Sequence, residues 1–469
     1  MGRLVIASNR TAPPGQPRAG GLAVALADAL AERGGGVWFG WSGEITDREQ
    51  RGLRMLTEGA VDFALADLTE AEHETYYLGY ANRTLWPVFH YRVDLARFDE
   101  AAFAGYEDVN RRFGRLLAGL TRPDDVVWLH DYHFLLMGQE MRVSGWDGPL
   151  GFFLHIPFPA PEVFTALPQH ARLARGMAAF DLLGFQTDRD TANFRRYLVE
   201  NCAAEVLDDY RLRVFERIVE TRTFSIGIDA AEMAAMATAS EAAAAAARIG
   251  RIIESRALVI GVDRMDYSKG LPQRMEAFGR MLDEHPELHG RVSFLQIAPP
   301  SRETLDAYAA LREELDRLSG NINAEIADLD WQPIRYLARG YGRDTLAGLF
   351  RVARVGLVTP LYDGMNLVAK EYVAAQDPED PGVLVLSEFA GAAEQMKTAL
   401  VINPHDIAGM ADAIYRALHM PLDERRERWR ALDEAVRSHD IAWWRRGFLS
   451  ALDATRRTSE ASQPVAAGQ

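Results

Sequence analysis

The strongest constraint on the fold is a set of short apolar runs with little alternation. Leu4–Ser8, Val37–Trp41, Val61–Leu65, Val126–Leu129, Gly151–His155 and Leu182–Gln186 lie in the first half of the chain. Ala257–Val262, Val292–Ile297, Val355–Thr359, Val383–Leu386 and Leu400–Ile402 lie in the second. A strand with one solvated face alternates apolar and polar residues. A continuous Val/Ile/Leu/Phe run is buried on both faces, as in a parallel sheet covered by helices. Helical patterns separate the runs, at Gly21–Arg33, Asp108–Leu120, Pro272–Glu284 and Arg302–Ser319. This alternation predicts an α/β protein with parallel sheets wound by right-handed crossovers.

Two sets of runs predict two doubly wound, Rossmann-like domains, for which 469 residues are ample. The Ser225–Ile228 turn, before the Ala-rich Glu241–Arg248 helix, places the boundary. The expected domains are 1–228 and 229–450, with the late stretch around Trp443 and Trp444 crossing back to the first. The polar tail 458–469 is expected to be disordered.

Charge narrows the partners. The chain has 52 Lys and Arg against 67 Asp and Glu, a formal net charge of -15. Such a body is repelled by nucleic acid and anionic membranes, so no partner of either kind is expected. A bound anion needs a few locally placed cations. The single cysteine, Cys202, forms no intrachain disulfide and suits a reducing cytoplasm. The apolar stretch in Met1–Arg10 is too short for a signal peptide or a span, and Ile6 spoils a myristoylation motif at Gly2. A cytoplasmic protein is expected.

The polar residues collect where ligands of open parallel sheets bind, beyond the carboxyl ends of strands. These ends carry Ser8-Asn9-Arg10, Trp41-Ser42-Gly43-Glu44, His130-Asp131-Tyr132-His133, His155-Ile156-Pro157, Asp263-Arg264, Arg302 and Asp363-Gly364-Met365-Asn366. That loading predicts a site between two domains. Gly20-Gly21 opens a helix and would let a ligand approach backbone N–H groups, although a flexible loop end is the plainer reading of a lone Gly pair. There is no Walker A sequence, and Gly340-Tyr341-Gly342 lacks the third glycine of a dinucleotide fingerprint.

In Asp263-Arg264-Met265-Asp266-Tyr267-Ser268-Lys269-Gly270, two cations five residues apart suit a diphosphate; a solvated charged turn is the alternative. The stretch Asp363 to Glu371 reads as a turn opening a helix whose N–H groups face a phosphate, with Glu371 one turn on, in reach of a ribose. Asp363 or Asn366 would equally cap that helix. His130, Asp131 and His133 raise the question of a metal. Successive strand residues point to opposite faces, so their spacing is poor for ligation, and no metal is expected. His155 ends a very apolar run and reads as either a packed or a functional histidine. Tyr76, Tyr77 and Trp86 suit either a core or a sugar ring.

The motifs SNR, GGL, WFGWSGE, LWPVFHYR, WLHDYH, GFFLHIPFP, DLLGFQT, DRMDYSKGL, QIAPPSR and DGMNLVAKEYVAAQ together resemble the trehalose-6-phosphate synthases, in order, from about residue 3 to about residue 450. The resemblance implies the GT-B fold and transfer of glucose, with retention, from UDP-glucose to glucose 6-phosphate. It implies that Arg10, Trp41, Tyr77, Trp86, Asp131 and Arg302 hold glucose 6-phosphate, Arg10 and Arg302 clamping its phosphate. Gly20, Gly21, Arg264, Lys269, Tyr341, Asp363, Gly364, Met365, Asn366, Leu367, Val368, Ala369, Lys370 and Glu371 would hold the nucleotide sugar. Arg264, Lys269, Asp363, His155 and Asp131 would serve catalysis, and Trp86 with Ile156 would select the α-anomer. No cofactor is implied, and a homo-oligomer is. Coupling of cyclitols, or non-catalytic sensing of a sugar phosphate, are the competing readings. Thr11 after SNR, and DRMDYSKGL in place of the commoner ERLDYSKGL, leave GDP- or ADP-glucose open as donors. No fused phosphatase is expected after the second domain.

Overall fold

A computed structural model describes residues 2–11, 21–46, 52–254, 256–302 and 305–461. The chain forms two units, one of Met1–Ser225 with Trp444–Gln469 and one of Ile226–Trp443. The first boundary thus falls three residues before the expected one, and the second falls between the two tryptophans rather than at 450. Among the described residues no helix is long and apolar enough to cross a membrane.

The first unit holds strands β1 (Leu4–Arg10), β2 (Gly36–Ile45), β3 (Arg54–Glu58), β4 (Val61–Leu68), β5 (Val126–His130), β6 (Leu150–Phe153), β7 (Leu182–Phe185), β8 (Glu205–Val206), β9 (Arg211–Val214) and β10 (Arg217–Thr223). They form one sheet in the order β3-β4-β2-β1-β5-β6-β7-β10-β9-β8. From β4 to β10 every pairing is parallel; β3, β9 and β8 add antiparallel edges. The apolar runs match the central strands, where Leu4 to Ala7 are wholly buried. The edges escaped the sequence reading for a physical reason. An edge strand is not covered on both faces, and all five residues of β3 are exposed.

The last helix, Ile441–Ala461, explains why the end of the chain joins the first unit. Trp444 and Phe448 pack on Trp128 of β5, with ring centroids 5.1 and 4.5 Å away. Arg445 pairs with Asp28 at 3.0 Å and with Glu32, both on the Gly21–Glu32 helix. The expected disorder from Thr458 is corrected as far as Ala461, which the helix includes; 462–469 lie outside the described residues.

The second unit holds β11 (Ala257–Val262), β12 (Val292–Ile297), β13 (Ile334–Leu337), β14 (Val355–Val358), β15 (Val383–Ser387) and β16 (Leu400–Ile402), all parallel, in the order β13-β12-β11-β14-β15-β16. Numbered along the chain, this is 3-2-1-4-5-6, the doubly wound nucleotide-binding order. The parallel strands of the first unit repeat it. Each sheet reverses at one point: between β1 and β5 in the first unit, between β11 and β14 in the second. Ligands of such sheets bind outside the carboxyl ends of strands at that switch point.

Candidate active site

At the first switch point β1 ends in Arg10, and Asp131 follows β5. The Arg10 guanidinium lies over the Trp41 ring, 4.8 Å from its centroid. It fills the space a side chain at Gly43 would need, since a Cβ there would come within 2.3 Å of it. Gly43 also has φ +94°, a conformation that glycine tolerates best. From Trp41 a row of rings leads on. Trp41 lies 5.3 Å from Tyr77, and Tyr77 stacks on His133 at 5.9 Å. His133 meets Tyr132 at 4.0 Å, and Tyr132 meets Trp86 at 5.6 Å.

The winding of one helix makes this row possible. His73–Leu85 forms a π-helix, and the Trp86 N–H donates to Ala81 five residues back. Tyr77 and Trp86 are nine residues apart, which is half a turn out of phase in an α-helix. A π-helix has roughly 4.4 residues per turn, so nine residues bring them back towards one face. His73 joins the group, stacked 5.4 Å from Tyr77.

Asp131 has φ 75°, outside the strand region. Its carboxylate accepts from the backbone N–H of His155 at 3.2 Å. Burial pulls the His155 imidazole down to about 3, so the ring is neutral at pH 7. Ile156 beside it is buried. Gly21 opens its helix as expected, while Gly20 lies outside the described residues. Among the described residues the group spaced to hold a metal is Glu70, His73 and Glu74, not His130, Asp131 and His133.

At the second switch point the turn after β11 rests on a buried ion pair. Asp263 and Arg274 meet at 2.9 Å, with side chains 3% and 0% exposed. Arg274 also donates to Thr359 Oγ1 at 3.0 Å and Gln296 Oε1 at 3.1 Å, tying β11, β12 and the end of β14 together. Gly270 has φ +64°, and a Cβ there would lie 2.3 Å from the Thr359 carbonyl oxygen. Only glycine lets this turn approach β14. Arg264 stands exposed on the turn, and the Lys269 ammonium is hydrogen-bonded to Asp363.

Asn366, at φ 71°, precedes the Leu367–Ala374 helix but does not cap it with its side chain. Its amide donates to Asp263 at 3.3 Å instead. The first-turn N–H groups thus keep the positive end of the helix dipole without a side-chain cap. Asp363 and Gly364 belong to the turn before it. Leu367 and Val368 are half-buried, and Glu371 lies one turn on, its carboxyl raised by burial and pulled back by Arg343.

Three residues of this stretch do not fit a side-chain contact to a nucleotide. Met365 and Ala369 are buried in the core. Lys370 is wholly buried, and its ammonium donates to the Ile226 carbonyl at 2.8 Å and Gln395 Oε1 at 2.7 Å. Burial lowers it to about 7. Arg302 sits in the second unit at φ 51°. It donates to the Tyr308 hydroxyl at 2.8 Å and lies 3.7 Å from Asp266. Lys269 and Arg302 therefore already face carboxylates, which offset part of their charge. The Tyr341 hydroxyl accepts from Arg339 at 2.7 Å, and that guanidinium lies over its ring.

A profile of glycosyltransferase family 20 matches residues 8–454. The chain belongs to glycosyltransferase family 20. Among family relatives, a trehalose-6-phosphate synthase of Sinorhizobium fredii is 48% identical, over 97% of this chain and 99% of its own. A solved α,α-trehalose-phosphate synthase (UDP-forming) of Burkholderia xenovorans, in complex with glucose-6-phosphate, is 47% identical with a TM-score of 0.93, over 96% of this chain and 100% of that one. A trehalose-6-phosphate protein of E. coli bound with UDP-2-fluoro glucose is 42% identical with a TM-score of 0.92, over 96% of this chain and 98% of that one. The family-20 fold is GT-B, and both of its Rossmann-like sheets are present here.

In this family-20 chain, Arg10, Trp41 and Tyr77 come together at one switch point, and Lys269 with Asp363 at the other. From sequence alone, Gly43 and Tyr132 were noted without a task, and His73, Arg274 and Tyr308 were not noted at all. Gly43 sits in the quoted WFGWSGE motif, but only the position of the Arg10 guanidinium gives it a task. Arg274 reads in the sequence as one more helix cation; its burial alone marks it out.

Proposed function

We propose that the chain transfers glucose from UDP-glucose to O1 of glucose 6-phosphate, with retention, giving α,α-trehalose 6-phosphate and UDP. One observation carries the reading. Lys269 and Asp363 meet at the switch point of the second sheet, beside a helix start without a side-chain cap. The near full-length likeness to proteins solved with glucose-6-phosphate and UDP-2-fluoro glucose supports it.

Charge builds on the leaving diphosphate as the glycosidic bond stretches. Arg264, Lys269 and the N–H groups after Asn366 stabilise it there. Lys269 shares its charge between Asp363 and the diphosphate, and Asp363 and His155 orient the transferred glucose. The leaving phosphate oxygen accepts the proton of the incoming O1 hydroxyl, so no enzyme carboxylate need attack the sugar, unlike in a retaining glycosidase. Gly21, Gly364, Leu367 and Val368 approach the nucleotide through backbone, Glu371 takes its ribose, and Tyr341 lies near its base. Met365, Ala369 and Lys370 support the helix from behind.

Arg10 holds the acceptor phosphate over Trp41, helped by Tyr77; Arg302 is the second phosphate ligand, for which Asp266 competes. Asp131 takes a sugar hydroxyl, and Trp86 and Ile156 shape the pocket for the α-anomer. These cations do the work a metal does elsewhere, so chelation is expected to leave the rate unchanged. The enzyme is proposed to act in the cytoplasm as a homo-oligomer, which gel filtration with light scattering tests.

The test is a coupled assay of UDP, GDP and ADP release from the three nucleotide glucoses, with and without glucose 6-phosphate. UDP release that depends on glucose 6-phosphate is expected. Release that ignores it, or binding without release, contradicts the proposal.

A further inference from the structure

The proposed reaction uses His155 and gives no task to the side chain bonded to it. His130, the last residue of β5, is wholly buried, and its Nδ1 lies 3.0 Å from His155 Nε2. In a regular strand His130 and Asp131 would point to opposite faces. Asp131, at φ 75°, breaks that alternation. Both residues therefore reach His155: His130 holds its ring, and Asp131 accepts its backbone N–H at 3.2 Å.

Burial keeps both imidazoles below their ordinary pKa, so each is neutral and carries one N–H. Their contact takes one proton, and the question is whose. His130 Nε2 is buried without a hydrogen-bond partner. Its ring packs against Trp128 at 4.4 Å and Trp444 at 6.4 Å. The indole N–H groups of both tryptophans are also buried without an acceptor. Indole nitrogens only donate. Neither indole is bonded to His130 Nε2, so a bare Nε2 leaves two unmatched buried donors, whereas an N–H there would add a third with nowhere to go. The His130 proton then sits on Nδ1 and points at His155 Nε2.

We infer that His130 is a positioning residue that fixes His155 as its Nδ1–H tautomer, presenting a hydrogen-bond donor to a hydroxyl of the transferred sugar. The tautomer of a histidine is set by the bond its other nitrogen makes. The sugar contact rests on the function proposed above; the tautomer does not.

Long-range 1H–15N spectra of the full-length protein with 15N-labelled histidine, at pH 7, test the tautomer directly. His155 is assigned by the signal that His155→Asn removes. The expected spectrum has His155 protonated on Nδ1 and bare on Nε2, and His130→Phe mixes the two forms. Protonation of wild-type His155 on Nε2 overturns the inference. Kinetics test the positioning role. An asparagine amide can stand where Nδ1–H stood, so His130→Asn is expected to keep kcat within about threefold, while His130→Phe lowers it about tenfold with KM for glucose 6-phosphate unchanged. Equal losses in the two variants, or a loss in thermal stability alone, overturn it. Unchanged kcat in His155→Ala, which leaves no donor at that position, overturns the sugar contact, and the spectra still decide the tautomer.

Discussion

On the proposed function, the two switch points solve the same problem, holding an anion at the end of a parallel sheet, with different materials. The first uses side chains from distant segments: one arginine laid over a tryptophan, and a row of rings ending at Trp86. The second uses backbone: a turn that only Gly270 permits, a helix start without a side-chain cap, and a buried Asp263–Arg274 pair beneath. Rings make a shaped, weakly charged surface suited to a sugar. Aligned N–H groups and paired cations make a rigid electrostatic site suited to a diphosphate, whose charge changes during the reaction. On the proposed function, the acceptor binds at the first site and the transition state is stabilised at the second.

The largest expected effect lies under the second site. Arg274→Met leaves Asp263 charged, buried and unpaired, and should cost roughly 3–5 kcal/mol of stability. Urea unfolding measures this, and a loss below about 1 kcal/mol would show that the pair does not support the turn. Lys269→Ala should raise the barrier by about 2–4 kcal/mol, seen in kcat with little change in the acceptor KM. Near-normal turnover would remove Lys269 from the mechanism. At the first site, Arg10→Ala should weaken glucose 6-phosphate binding by about 2 kcal/mol, roughly thirtyfold in KM, and spare the KM of UDP-glucose. The reverse pattern would exchange the two assignments. Gly43→Ala displaces the Arg10 guanidinium and strains the backbone by about 1 kcal/mol, so a milder rise in the same KM is expected.

Acid stability should respond as well. His155 ionises at about 3 when folded, against an ordinary value of 6.5, and His130 is also depressed. The unfolded chain takes up these protons near pH 6.5, and the folded chain does not until far lower pH. Stability from this source is full above pH 6.5 and falls as the pH drops towards 3. The thermal midpoint of His155→Asn should therefore fall less steeply with acid than that of the wild type. Parallel curves would mean that His155 titrates normally.

What the sequence revealed follows the same division. The second site lies in two contiguous stretches, Asp263–Gly270 and Asp363–Glu371, at the ends of strands whose apolar runs are unmistakable. The placement of its residues was legible there, except where burial decides. Lys370 and Arg274 look like surface cations until the fold encloses them. The first site was less legible. Nothing in local propensity announces a π-helix over His73–Leu85, and α-helical spacing would have separated Tyr77 from Trp86. The parallel core strands were all foreseen in the first unit as far as β7, because burial on both faces leaves its mark. In the second, β13 was missed, and three of its four residues are only half-buried.

The most direct test of the account is the structure of the product. The enzyme, UDP-glucose and glucose 6-phosphate are mixed, and the disaccharide phosphate is examined by NMR alongside the UDP released. The account predicts one UDP per disaccharide and an α configuration at both anomeric carbons. A β linkage at the transferred glucose, or UDP released without a disaccharide, would contradict it.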